Sequence, residues 1–160
     1  MVKTIFIGDV QAGNYDGQEV ELMGWVKRSR GSNKIRFIVL RDSTGVIQCV
    51  VKRDAVGDEP FEDAKGALIE SSIIITGMIN VDERADGGHE MVASSVSIVG
   101  SVNPERPFPI TESAMQAADG GETEFLLDNR HLYLRTSRMT TMLQVRSTVF
   151  GAIHNYFRDL

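Results

Sequence analysis

The sequence is short of the residues that several functional classes require. Its one cysteine, Cys49, leaves no partner for an internal disulfide and cannot build a Cys-based metal centre. A lone thiol suits a reducing compartment, so a cytoplasmic protein is expected. The three histidines, His89, His131 and His154, lack the spacing of metal ligands. No apolar run approaches the roughly 18–20 residues that cross a bilayer, so no membrane partner is expected. The opening MVKTIFIGDV lacks the long apolar core of a secretion signal. No glycine-rich loop stands between a strand and a helix to cradle phosphates, since the DGG triplets at 86–88 and 119–121 fall in turns and linkers. No nucleophile–base pair stands out, and Asp42 opens a DSTG turn in the manner of a turn residue. Neither catalytic nor metal-binding residues are expected in this chain.

What is present is an ordinary globular balance with one local anomaly. The 160 residues carry a net charge of −5, which argues against indiscriminate binding to polyanions. Yet Lys27, Arg28, Arg30, Lys34 and Arg36 fall within ten positions, with no acid among them. A local basic patch of this kind is enough to engage nucleic acid.

The pattern along the chain is mainly β. Val20, Leu22, Gly24 and Val26 alternate within 17–30, and KIRFIVLR (34–41) and GVIQCVVK (45–52) read as the next two strands. Pro60 suits the first turn of a helix that Asp58 or Glu59 would cap, with Phe61, Ala64, Leu68 and Ile69 at helical spacing. SIIITGMINVDER (72–84) and residues 89–99 supply two more strands, with Gly77 at a bulge or bend. Three strands, a helix and two strands match a five-stranded Greek-key barrel of the oligonucleotide-binding type, the OB-fold. Three of the four prolines then fall at 104, 107 and 109, as in a stiff linker. Residues 138–160 carry Met142, Val145, Val149, Ile153, Tyr156 and Leu160 on one helical face.

The second and third strands of an OB-fold commonly hold single-stranded nucleic acid, and here they carry the unusual residues. Phe37 is either a core residue or a stacking platform for a base. Gln48 interrupts an apolar run; a buried amide without partners costs about 1–3 kcal/mol. An exposed one offers a donor and an acceptor to a base edge. Arg30 reaches a base or a phosphate, and Lys27, Arg28, Lys34 and Arg36 are placed to track the backbone. The same cations also fit a solvated strand edge.

GQEVELMGWVKRSRG and IRFIVLRDSTGVIQCVV resemble the N-terminal anticodon-binding domain of class IIb aminoacyl-tRNA synthetases, above all the aspartyl and asparaginyl enzymes. FLLDNRHLYLRT (125–136) and MLQVRSTVFGAIHNYF (142–157) resemble the beginning of their catalytic domain and the helix of class II motif 1. RHLYLR in place of RFLDLR favours the asparaginyl branch over the aspartyl one. The resemblance implies an anticodon-binding barrel over 1–101, a hinge over 102–124 and the start of a class II catalytic domain over 125–160. It implies that Arg30, Phe37 and Gln48 recognise the central uridine of the anticodon, with Phe37 stacking on it. It implies tRNA as partner, a homodimer for the full-length enzyme, and ATP with Mg²⁺ for its reaction. Motifs 2 and 3 are not in this chain, so it is expected to bind tRNA and not to aminoacylate it alone. A stand-alone single-strand RNA binder is the alternative that the barrel alone would allow.

Overall fold

Runs rich in Val and Ile that alternate with polar residues fold as strands whose apolar faces turn to a shared interior. A computed structural model describes residues 4–110 and 123–160, in two compact units, Met1–Phe108 and Pro109–Leu160.

In the first unit, β1 (Thr4–Ile5) and α1 (Ile7–Gln11) precede three long strands: β2 (Glu19–Gly31), β3 (Ile35–Arg41) and β4 (Val46–Lys52). α2 (Arg53–Val56) and α3 (Asp58–Gly66) follow, then β5 (Ser72–Val81) and β6 (His89–Gly100). The sheet order is β1-β2-β3-β4-β6-β5, and β5 pairs back onto β2. The strands β2 to β6 therefore close a barrel, with β4 and β6 parallel and the remaining pairs among them antiparallel. This is the five-stranded OB-fold expected, with its helix between the third and fourth long strands.

The interior is filled by Val20, Leu22 and Val26 of β2, Ile38 and Leu40 of β3, and Ile47, Cys49 and Val51 of β4, with Ile73, Ile75, Ile79 and Met91 opposite. Burial pushes the Cys49 thiol up to about 12, so it stays protonated and unreactive. Phe61 and Ala64 of α3 join the same core. Three details depart from the sequence expectation. The residue preceding α3 is Gly57, with no side-chain cap; Asp58 and Glu59 sit in the first turn, and Asp58 binds Arg53 at 2.6 Å. The helix ends at Gly66, so Leu68 and Ile69 lie beyond it and are exposed. Lastly, β1 and α1, which the pattern does not announce, bury Ile5, Ile7 and Val10. α1 is a single short turn whose first N–H groups find acceptors far along the chain. Ile7 donates to Asp42 Oδ2 and Gly8 to Thr44 Oγ1, both at 2.8 Å. Asp42 Oδ1 meanwhile accepts from Thr44 and Gly45, which makes it the turn residue expected.

Bulges in β2 and β6 set which side chains face out. On β2, Val26 pairs with Leu40 and Arg28 with Val39, so Lys27 is an extra residue. On β6, Ser95 pairs with Thr76 and Ala93 with Gly77, so Ser94 is extra. The bulge expected at Gly77 therefore sits on the opposing strand. Gly77 is where the backbones come closest: a Cβ there would lie 2.3 Å from the Val92 carbonyl oxygen and 2.8 Å from Ala93 Cα. Gly77→Ala should lower stability by about 3 kcal/mol through overpacking, read as a lower urea midpoint.

In the second unit, α4 (Thr123–Asp128), α5 (Arg130–Tyr133) and α6 (Ser137–Arg158) follow one another. α6 matches the long helix expected, and Thr136 caps it by accepting from the Met139 N–H at 3.4 Å. Met142, Val145, Val149, Ile153 and Tyr156 are exposed along it. Of the hinge expected over 102–124, residues 111–122 lie outside the described residues.

Candidate nucleic-acid interface

The extra residue at Lys27 decides the site. Arg28 and Arg30 share sequence parity with Val26, which is buried, so an unbroken strand would aim both guanidinium groups into the core. The bulge inverts the alternation. Ser29 then pairs with buried Ile38 on the inner side, while Arg28 pairs with Val39 and Arg30 with Phe37 on the outer side. Register carries these rows across the barrel. Phe37 pairs with Val50, Val39 with Gln48, and Gln48 with Glu90 of the parallel neighbour β6. One face thus holds the row Arg30–Phe37–Val50 beside the row Arg28–Val39–Gln48–Glu90.

This face is the floor of a groove of about 540 Å³, floored by Arg28, Arg30, Phe37, Val39, Gln48 and Val50 and walled by Asp82, Arg84, Asp86 and Glu90 from the β5–β6 connection and the start of β6. Phe37 is half-buried on the outer face, which removes its reading as a core residue. The Arg30 guanidinium lies 5.6 Å from the centre of its ring. Such a contact rests the arginine against an aromatic surface. The Gln48 side chain makes no hydrogen bond within the described residues, so its donor and acceptor remain available to a ligand. On the wall, Arg84 grips Asp82 through two side-chain hydrogen bonds of 3.0 Å. Those bonds hold the Asp82 carboxyl below its ordinary range and raise the Arg84 guanidinium.

The structure scatters the rest of the basic cluster. Lys27 is the bulge residue. Lys34 sits in the β2–β3 turn and lines a second cleft of about 620 Å³ with Lys52, Arg53 and Asp54. Arg36 does not join the groove. It pairs with Val51, shares the inward parity, and donates to Ser29 Oγ at 2.8 Å. The sequence reading gave the four wall residues no role. Only the parallel β4–β6 register, invisible in the sequence, sets Glu90 beside Gln48. Among the described residues no cluster of three or more metal-binding side chains occurs, and no helix is long and apolar enough to cross a membrane.

Together the groove offers an aromatic platform, an amide that donates and accepts, cations beside both, and carboxylates opposite. These are the groups that bind single-stranded bases by stacking and edge pairing. Residues 20–99 match the family described as the OB-fold nucleic acid binding domain. An asparagine–tRNA ligase of Symbiobacterium thermophilum is 42% identical over 145 residues, covering 91% of this chain and 31% of its own. The crystal structure of asparaginyl-tRNA synthetase from Pyrococcus horikoshii superposes with a TM-score of 0.84 at 34% identity, over 99% of this chain and 36% of that one. The same enzyme complexed with asparaginyl-adenylate also superposes with a TM-score of 0.84 at 34% identity, over 99% of this chain and 35% of that one. The chain spans about a third of the length of these relatives. It belongs to the family of OB-fold nucleic acid binding domains, and relatives that it resembles along nearly all of its length, at 34–42% identity, include asparagine–tRNA ligases.

Proposed function

We propose that this chain binds the anticodon loop of tRNA on the outer face of β2, β3 and β4 and reads its central uridine with Arg30, Phe37 and Gln48. The observation that carries this is the bulge at Lys27, which brings Arg30 over Phe37 on the face that also presents Gln48. Phe37 stacks on the base. The Gln48 amide accepts from uracil N3–H and donates to O4. An amide alone would also pair with cytosine by flipping. A cationic donor at the 4-position selects uracil, whose O4 accepts, against cytosine, whose exocyclic amine donates there. Arg28 and Arg30 supply that donor from the same face. Glu90, next to Gln48, accepts from an amine of a neighbouring base in the same way that acids read cytosine and other amines.

Phosphates flanking the bases fall to Lys27, Arg28 and Lys34. Arg36, turned inward to Ser29, is not included. Lys34→Ala should leave central-base preference intact and reduce the salt slope of binding by about 0.7 for each phosphate that the lysine neutralises. Titrations at several fixed salt concentrations read this slope.

In this reading residues 1–101 form the anticodon-binding barrel, 102–124 the hinge and 125–160 the start of a class II catalytic domain. The whole ligase couples asparagine to its tRNA through an adenylate, using ATP and Mg²⁺, in the cytoplasm. None of the described residues of this chain is assigned to ATP or metal. The exposed stripe of α6 is the surface offered to a second copy in the homodimer.

The test is a titration with anticodon stem-loops at fixed salt, one with central U and one with central C. Tighter binding of the U loop is expected, with affinity lowered in Gln48→Ala and the preference for U lost in Arg30→Ala. Equal binding of both loops leaves only a basic patch and removes the base-reading role.

A further inference from the structure

The wall of the groove is held by a histidine whose two hydrogen bonds need one more proton than a neutral ring has. His89 opens β6 with its side chain 10% exposed. Its Nδ1 lies 3.0 Å from the Gly87 carbonyl oxygen, and its Nε2 lies 2.9 Å from Asp16 Oδ1. Both partners only accept. A neutral imidazole carries a single N–H and satisfies one of them; the imidazolium carries two and satisfies both. The neutral ring would turn a bare lone pair toward an acceptor in a buried place.

These two bonds fix the piece of chain that walls the groove. Gly87 belongs to the turn Asp86–Gly88, whose far side abuts α1: a Cβ on Gly87 would sit 2.2 Å from Gln11 Nε2. Gln11 in turn donates to the Val46 carbonyl at 2.8 Å. Asp82 N–H closes the loop by donating to the Gly88 carbonyl at 3.0 Å. The charged neighbours are Asp16 from the segment before β2, Asp86 and Glu90 on the turn and strand of His89 itself, and the Asp82–Arg84 pair on the other arm. Val81, opposite on β5, and Gln11 on α1 carry no charge.

We propose that His89 is a protonated latch: its imidazolium positions the 82–90 wall over the groove, so RNA binding at that wall weakens when the ring loses its proton. The inference rests on the anticodon reading and adds to it a positioning residue that touches no base. The sign follows from the bonds. The cationic ring makes both, so the wall is held while the ring carries its second proton and released when it loses it.

The experiment compares stem-loop affinity at about pH 6 and pH 8, at fixed salt. The wild type should bind about three- to tenfold more weakly at the higher pH, the loss of one hydrogen bond. Asp16→Asn should flatten the profile while keeping the affinity, because its amide donates to Nε2 of a neutral ring whose Nδ1–H still reaches Gly87. His89→Gln, which keeps one donor and cannot titrate, should also be flat. A flat wild-type profile, or a slope that survives in Asp16→Asn, overturns the latch. If no loop binds at either pH, the anticodon reading fails, and ¹⁵N signals of the ring in the free protein decide the latch alone. The ring should shed its proton at lower pH in Asp16→Asn than in the wild type; coincident titrations overturn it.

Discussion

Phe37→Ala weakens binding of a stem-loop with central U by about 1–3 kcal/mol, the worth of one base stacked on an aromatic ring. That is roughly 5- to 150-fold in Kd. The expectation follows from the placement of the ring. Phe37 lies on the outer face of β3, away from the core that Ile38 and Leu40 fill, so its removal opens no cavity. The thermal midpoint should hardly move, while affinity falls. Arg30 also loses the surface it rests on, so the variant relaxes the choice of base as well as the affinity. Isothermal titration alongside a melting curve separates the two. A melting temperature that drops together with the affinity would assign Phe37 to the core.

Phe61→Ala should have the opposite signature. Phe61 is fully buried in α3, and the Arg53 guanidinium lies 4.4 Å from its ring centre. Arg53 is itself held by Asp58 and Glu62, so the ring is fixed between the barrel interior and a surface ion cluster. Truncation leaves a cavity of most of a phenyl ring and costs about 3–5 kcal/mol. A domain of this size holds about 5–15 kcal/mol in total. The urea midpoint should fall steeply, while protein that remains folded keeps its preference for U over C. A loss below about 1 kcal/mol would mean that the helix does not anchor the barrel.

Much of this was legible in the sequence, for a physical reason. Strands β2 to β6 bury one face each, so their apolar residues alternate and mark both the element and its inward side. α6 shows its 3.6-residue period for the same reason. The OB-fold followed from the order of those elements, and the motifs RHLYLR and GWVKRSR pointed to the family that the relatives confirm. What stayed hidden depends on contacts between distant segments. α1 has no cap of its own, since Asp42 and Thr44 cap it from 35 and 36 residues away. The bulges at Lys27 and Ser94 leave no mark in composition. Yet the first one sends Arg28 and Arg30 outward, while Arg36, on the unbroken β3, keeps the inward parity of Ile38 and Leu40. Glu90 and His89 matter only because β6 runs beside β4 and the turn before it folds onto the segment preceding β2.

The most direct test of the base-reading face is a titration of isotopically labelled protein with the central-U stem-loop, followed by NMR. The reading predicts that the Gln48 side-chain amide, the Phe37 ring and the Arg30 guanidinium shift together, with contacts from the Phe37 ring to the uracil. Shifts confined to the cleft around Lys34 and Lys52, with those three groups unmoved, would contradict it.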